Sequence, residues 1–446
     1  MLQVIDLRGK KLTRAQIAAA LPRAALNVDK AFNAVTPIID RVKAEGAAAL
    51  RDLSQQFDGV RPEHLRVPQA ALDAAAAGLS TQLREALELS IAHNRLGHQA
   101  QLPKPASSDI VPGGVVRQRW IPVERVGLYV PGGLAVYPSS VIHNAVAAQV
   151  AGVAHIALAS PPQKEYGGLP HPTILAACKL LGITEVYAVG GAQAIAMFAY
   201  GAAGEAGSSD GEVLCEPVDV VTGPGNIYVA AAKRAVRAVV GIDAEAGTTE
   251  IGIIADGSAN PEFVAADMLS QAEHDPAAAS VLITDCTQLA QAVDVALARQ
   301  AAQTKHIERV RQALTGSQSG IVLTDSLAAS IDVANAYGAE HLEIHTQDAA
   351  DIARQIHNAG AIFVGPYSPV PLGDYMAGSN HVLPTGGTAR FNSGLSVMAY
   401  IKSVQEVEYT QPAMAQLYPP LRALALDEDL PAHAHALQVR LEQGDE

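Results

Sequence analysis

The hydrophobic pattern changes character along the chain. Leu2-Gln3-Val4-Ile5-Asp6-Leu7 reads as a short strand, followed by a helix up to about residue 24. From Asp29 to about His98 the spacing is helical, with Ala-rich stretches such as Ala70 to Leu79. Within it, Gln82-Leu83-Arg84-Glu85-Ala86-Leu87-Glu88-Leu89 has the spacing of a half-buried helix. From Val126 short aliphatic runs alternate with helical ones. Predicted strands are Val126–Val130, His155–Ser160, Glu185–Val189 and Val218–Val221, and predicted helices Ser139–Ala151, Pro172–Leu181 and Ile227–Ala238. Glycine turns join them at Pro131-Gly132-Gly133, Gly190-Gly191 and Gly223-Pro224-Gly225-Asn226. Strand, glycine turn and helix in repetition predict a parallel, doubly wound sheet.

A second block of the same texture runs from Glu250 to about Pro369. Its predicted strands are Ile251–Ala255, Ser280–Thr284, Gly320–Thr324, His341–His345 and Ala361–Val364. Phe263 to Leu269 reads as an amphipathic helix leading into Ser270-Gln271-Ala272-Glu273-His274-Asp275. Pro369 to His381 reads as a loop rich in turn formers, and the run from Gln405 as polar helix.

Composition narrows the class. At 446 residues the chain holds two or three domains, on a prior of roughly 150 residues each. It is 49% hydrophobic and only 4% aromatic, so its core is aliphatic and suits an α/β protein. A formal net charge of −14 argues against a nucleic-acid backbone as the main partner, which needs a basic face. It leaves room for anionic ligands, which need only a local cluster of donors. Cys178, Cys215 and Cys286 are too few and scattered for a disulfide framework or a CxxC site. They read as inert thiols in a reducing compartment. Met1 to Lys10 has no apolar signal core, and no run of about 18 apolar residues occurs. The expectation is a cytoplasmic protein with no membrane span.

Four places carry candidate chemistry. Gln271 and His274, three apart on a helix, share a face and offer a carboxamide oxygen and an imidazole as two corners of a metal site. The same spacing also serves ordinary surface polarity. Glu340 and His341 are adjacent at a strand start, where neighbours face opposite ways. They serve one site only if Glu340 lies in the preceding loop; otherwise they are a surface Glu and a core His. Asp374 in the turn-rich loop can cap a helix or bind a metal, and His381 can line a cleft. The glycine turns lie where doubly wound sheets bind ligands, at helix N-termini suited to a pyrophosphate. None spells GxGxxG, so a nucleotide site and a plain tight turn both fit.

The motifs in order resemble the histidinol dehydrogenase family. They are Leu128-Tyr129-Val130-Pro131-Gly132-Gly133, Gly190-Gly191-Ala192-Gln193-Ala194, Thr222-Gly223-Pro224-Gly225-Asn226, Ser270 to His274, Ala339-Glu340-His341-Leu342, Gly373-Asp374-Tyr375 and Gly378 to Thr385. The resemblance covers nearly the whole chain. It implies an α/β fold of two Rossmann-like doubly wound domains with small N- and C-terminal extensions. The implied division is 1–24 as an N-terminal extension, 25–127 plus 250–390 as the domain of zinc and catalysis, and 128–249 as the NAD domain. Residues 391–446 are then a helical tail exchanged with the partner subunit of a homodimer.

The implied activity is oxidation of L-histidinol through L-histidinal to L-histidine, with two NAD+ and one Zn2+ per site. Gln271, His274, Asp374 and His433 match the zinc ligands, His433 coming from the partner subunit. Glu340 and His341 match the catalytic pair. His381, Glu428 and Thr249 match further substrate contacts, beside the ligands and the pair themselves. Tyr129, Gln193 and Asn226 match positions lining the NAD site. His341 suits the base that takes the hydroxyl proton. The aldehyde must add water before a second hydride can leave, and Glu340 is matched to activating that water. A cysteine thiohemiacetal is the alternative, but no cysteine falls in a matched motif.

The chain departs from the family in places. Thr248-Thr249 stands where a Pro-Ser pair is common, keeping the hydroxyl but adding a methyl. The Gly201–Gly211 loop is longer than in many members and is expected to be mobile surface. His435 competes with His433, whose register rests on Leu430-Pro431-Ala432-His433. Glu428 is chosen over Asp427 and Asp429 by its distance from His433. The rival readings are a paralogue acting on another small alcohol or diol, and a zinc-binding protein without catalysis.

Overall fold

The computed structural model describes residues 1–24, 28–132, 136–205, 211–244 and 247–442, with only the backbone described for 28–30. Gly133, residues 206–210 of the Gly201–Gly211 loop, and Ala246 lie outside them. The chain divides into two compact units, one of Met1–Gln101 with Val123–Tyr400, the other of Leu102–Pro122 with Ile401–Glu446.

In chain order the strands are β1 (Gln3–Asp6), β2 (Ala106–Val111), β3 (Gly114–Pro122), β4 (Arg125–Tyr129), β5 (His155–Ser160), β6 (Glu185–Ala188), β7 (Ala202–Ala203) and β8 (Val213–Cys215). There follow β9 (Val220–Thr222), β10 (Gly241–Ile242), β11 (Glu250–Ala255), β12 (Ala279–Thr284), β13 (Gly320–Leu323), β14 (His341–His345), β15 (Ala361–Val364) and β16 (Ile401–Tyr409).

The first unit holds two parallel sheets. One has the order β10-β9-β4-β5-β6, the other β1-β13-β12-β11-β14-β15. In each, the chain winds outward from one strand, then returns to that strand's other side. The reversal falls between β4 and β9 in one sheet and between β11 and β14 in the other. Every residue of β11, β12 and β14 is buried, as expected of strands covered on both faces. Ile251 and Ile253 pack with Met268 and Val293, whereas Ile254 packs with Ile331 and Tyr337 on the other face. Each such aliphatic side chain contributes roughly 1.5–3 kcal/mol when withdrawn from water. The mixed α/β class with parallel sheets is thus as the pattern predicts.

The second unit is different in kind. β2 and β3 form an antiparallel hairpin through Pro112-Gly113, and β16 pairs along β3 from Ile401 opposite Pro122 to Tyr409 opposite Gly114. The reading of polar helix from Gln405 is corrected here: Gln405 to Tyr409 is strand, and helix begins at Gln411. Its charges belong to cross-strand pairs, Arg117 with Glu408 and Arg119 with Glu406. Helices Gln411–Asp427 and Pro431–Glu442 complete the unit. Leu417, Leu421, Leu424 and Leu430 line an apolar groove there, together with Glu428 and His433. No described helix is long and apolar enough to cross a membrane.

Candidate active site

Neighbouring strands β11 and β14 begin side by side, Ile251 opposite His341. Thr249 and Glu340, each just before its strand, therefore meet at the amino end of the sheet. Glu340 lies in a bend and not in the strand, which is the condition for it to share a site with His341. Its Oε2 accepts from Thr249 Oγ1 at 2.6 Å and from the Glu250 amide at 2.9 Å. It lies 3.6 Å from His341 Nδ1. Glu340 and His341 are both buried, so the reading of a surface Glu is set aside.

The Pro261–Ala272 helix follows β11 and runs back to this same end. Apolar positions such as Val264, Ala265 and Met268 bury its inner face and fix where Gln271 falls. Gln271 Nε2 donates to Thr249 Oγ1 at 2.6 Å, and its Oε1 is buried with no partner. The helix ends before His274, which stays near Gln271 because its amide bonds the Gln271 carbonyl at 3.3 Å.

The turn-rich segment is also corrected: Val370–Tyr375 is a short helix and Asp374 lies within it, capping nothing. Asp374 Oδ2 is 4.0 Å from His274 Nε2, and its Oδ1 is 3.9 Å from His381 Nδ1. The segment is held by the Thr81–Gln99 helix, whose Ser90 Oγ donates to the Tyr375 carbonyl at 2.6 Å. Gly97 and Gly378 permit the approach; a Cβ on Gly97 would stand 1.9 Å from the Gly378 oxygen.

Burial dominates the electrostatics. It raises Glu340 to about 8 against the Thr249 and Glu250 hydrogen bonds, and Asp374 to about 7. It lowers His341 to about 3, with His274 and His381 adding, and His381 to about 4. Both ring nitrogens of His341 lack partners. Among the described residues the site is thus an acceptor-rich pocket, with Arg309 the cation that acts on His274. A buried carboxamide oxygen, an imidazole and a carboxylate form a donor set that fits a borderline divalent metal. Such a cation would restore the carboxylate forms that burial disfavours. The C-terminal end of the Pro261–Ala272 helix adds negative potential there.

The predicted cofactor residues sit at the other sheet's reversal. Gly223 has φ +120°, and a Cβ there would lie 1.9 Å from the Tyr129 carbonyl, so only glycine lets the loop cross β4. Asn226 caps the Ile227–Val236 helix, accepting from the Tyr228 and Val229 amides. Tyr129 Oη accepts from the Gly191 amide at 3.1 Å, and Gln193 is buried with its Nε2 unpartnered. Helix N-termini at the carboxyl ends of strands suit a pyrophosphate.

The structure brings Thr249, Gln271, His274, Glu340, His341, Asp374 and His381 together, and gathers Tyr129, Gln193 and Asn226 around the five-stranded sheet. Glu428, His433 and His435 are exposed residues of the second unit. Sequence reasoning missed Ser140, whose Oγ is 3.0 Å from His381 Nε2, and His143, whose ring stacks on His381 at 4.0 Å. The signal was polar residues in an otherwise apolar buried helix. It also missed Lys233, buried among alanines. Lys233 pairs with Asp243 and donates to the Gly223 carbonyl at 3.0 Å. Cys178 and Cys215 are buried with thiol pKa values pushed up, Cys215 to about 11, and Cys286 caps a helix. None is poised as a nucleophile.

The histidinol dehydrogenase family model matches residues 21–441. The chain belongs to that family. It is 56% identical over 441 residues to histidinol dehydrogenase of Bifidobacterium longum (strain NCC 2705), covering 99% of this chain and 93% of that one. With the enzyme of Thermobifida fusca (strain YX) it shares 57% over 437 residues, covering 98% and 97%. The crystal structure of histidinol dehydrogenase from Elizabethkingia anophelis superposes with a TM-score of 0.91 at 32% identity, covering 100% of this chain and 99% of that one. Membership makes the chain an NAD-dependent oxidoreductase. Thr249 places its hydroxyl at the centre of the Gln271–Glu340 link.

Proposed function

We propose that the chain oxidises L-histidinol through L-histidinal to L-histidine with two NAD+, as the last step of histidine biosynthesis in the cytoplasm. One Zn2+ per site is assigned to Gln271, His274 and Asp374, with His433 of the partner subunit in a homodimer. The observation that carries this reading is the orphaned, buried Gln271 Oε1, on a side chain linked through Thr249 to Glu340, with His274 one turn on and facing Asp374 at 4.0 Å. When bound, the zinc supplies a fixed positive point that holds the substrate's nitrogen ligands, a positioning role.

His341, neutral at working pH, takes the hydroxyl proton of histidinol as hydride leaves the same carbon for NAD+, giving the aldehyde, NADH and a proton. Glu340 takes a proton from water as the water oxygen adds to the aldehyde carbon, and the former carbonyl oxygen takes up the proton held by His341, forming a gem-diol. Loss of a second hydride from that carbon to NAD+, with both hydroxyl protons released, gives the carboxylate and the second NADH. Thr249, His381 and Glu428 contact the substrate. Tyr129, Gln193 and Asn226 line the NAD site at the β4/β9 reversal, where Gly223 keeps the loop close. The apolar groove of the second unit, with Glu428 and His433 among its lining residues, supports a tail that seats on a partner.

The test is NADH formation by the metal-loaded enzyme with L-histidinol and with a panel of small alcohols and diols. Turnover of histidinol, lost on chelation and restored by Zn2+, supports the reading. Turnover of a diol but not histidinol would assign a paralogue, and zinc binding with no turnover a non-catalytic protein.

A further inference from the structure

His341, Glu343 and His345 alternate along one face of β14. Beyond His341 that face carries a buried polar cluster that the mechanism does not use. Glu343 is fully buried, and its Oε2 is 3.2 Å from His345 Nε2. Asp267, one turn before Gln271 on the Pro261–Ala272 helix, places Oδ2 3.5 Å from His345 Nε2. Asp267 and Glu343 also hydrogen-bond to each other. Two carboxyl groups can do so only if one keeps a proton, and burial raises Asp267 to about 8 and Glu343 to about 7. The second Glu343 oxygen accepts from the Val370 amide at 2.7 Å, at the first residue of the helix that carries Asp374.

One cluster therefore touches three elements: the helix of Gln271, the strand of His341 and the helix of Asp374. We infer that Asp267, Glu343 and His345 are positioning residues, a buried clamp that sets the spacing of Gln271, His341 and Asp374. The inference rests on the proposed zinc role of Gln271 and Asp374. The donor atoms of Asp267, Glu343 and His345 lie within 4.8 Å of one another, close enough to surround a cation. The hydrogen bonds already made by both Glu343 oxygens, and the proton between the carboxyls, favour a clamp. Orienting groups behind a metal's ligands are worth about 10- to 100-fold in affinity.

The test is calorimetric titration of Zn2+ into metal-free full-length protein. Glu343→Ala should bind zinc about 10- to 100-fold more weakly. Glu343→Gln keeps an oxygen for Val370 and an N–H for Asp267, and should stay within about threefold of wild type. Val370→Pro removes the donor at a first helical position where proline is tolerated, at the cost of trimming a buried core side chain. It should also weaken zinc, and serves if the alanine variant does not fold. Asp374→Asn, a direct ligand change, separates the two readings. If it loses zinc while Glu343→Ala and Val370→Pro bind normally, the clamp is overturned and the zinc assignment stands. If Asp374→Asn itself binds like wild type, the zinc assignment falls and the clamp with it. A fall in Glu343→Gln as deep as in Glu343→Ala overturns the clamp. So does a second zinc equivalent in wild type that Glu343→Ala lacks, since either makes the cluster a charge or cation site.

Discussion

Glu340→Gln isolates the proposed water-activating base. The Oε2 of Glu340 accepts from Thr249 Oγ1 and the Glu250 amide, and a Gln oxygen can accept both. Net hydrogen bonds of this kind are worth about 0.5–1.5 kcal/mol each, and since both are kept, stability should fall by no more than about 1 kcal/mol. The base itself is lost. General-base catalysis contributes about 10²–10⁴-fold, or about 3–5 kcal/mol of barrier. The assay follows NADH in two arms, single-turnover histidinol oxidation and steady-state oxidation of supplied histidinal. The histidinal arm should drop by that factor, and the histidinol arm by less than about tenfold. The pH profile adds a sign. Burial pushes Glu340 up, to about 8 before a cation is bound, and a bound cation draws it back down, so its basic form accumulates as pH rises through the value the loaded site sets. The wild-type aldehyde step should climb toward alkaline pH, and the Gln variant should lose that limb. Equal loss in both arms, or an unchanged limb in the variant, refutes the role.

Three further outcomes follow from the packing. Gly223→Ala forces a Cβ against the Tyr129 carbonyl at φ +120°, and should raise KM for NAD+ at least about tenfold while zinc content holds; an unchanged KM contradicts the loop's place in the cofactor site. Lys233→Met strands buried Asp243 and should cost about 3–5 kcal/mol in urea unfolding, against a contradiction of less than about 1 kcal/mol. Asp374→Ala and His433→Ala should each lower metal content, and mixing them should restore activity if sites span two subunits. No recovery after demonstrated subunit exchange counts against the shared site.

The parallel sheets were legible because their strands are buried on both faces and read as short aliphatic runs between turns. β2, β3 and β16 were not, since segments such as Ser107-Ser108-Asp109 and Lys402-Ser403 are strand by pairing, with much of their surface in water. The Val370–Tyr375 helix hid behind Pro371 and Gly373, residues that usually mark a loop. Spacing also left Glu340 and His341 undecided, because only the bend before β14 turns both toward one pocket. Their roles, and the ligand set with Gln271 and Asp374, came from the family resemblance. Asp267, Glu343 and His345 could not be read together at all, because their proximity depends on how the Pro261–Ala272 helix packs on β14.

The central claim is that Gln271, His274 and Asp374 hold a zinc that fixes one substrate for two successive oxidations. The most direct measurement is NADH stoichiometry with limiting L-histidinol, before and after chelation. The account predicts two NADH and one histidine per histidinol, abolished by chelator and restored by Zn2+. One NADH with accumulating aldehyde, or full turnover in the chelated enzyme, would contradict it.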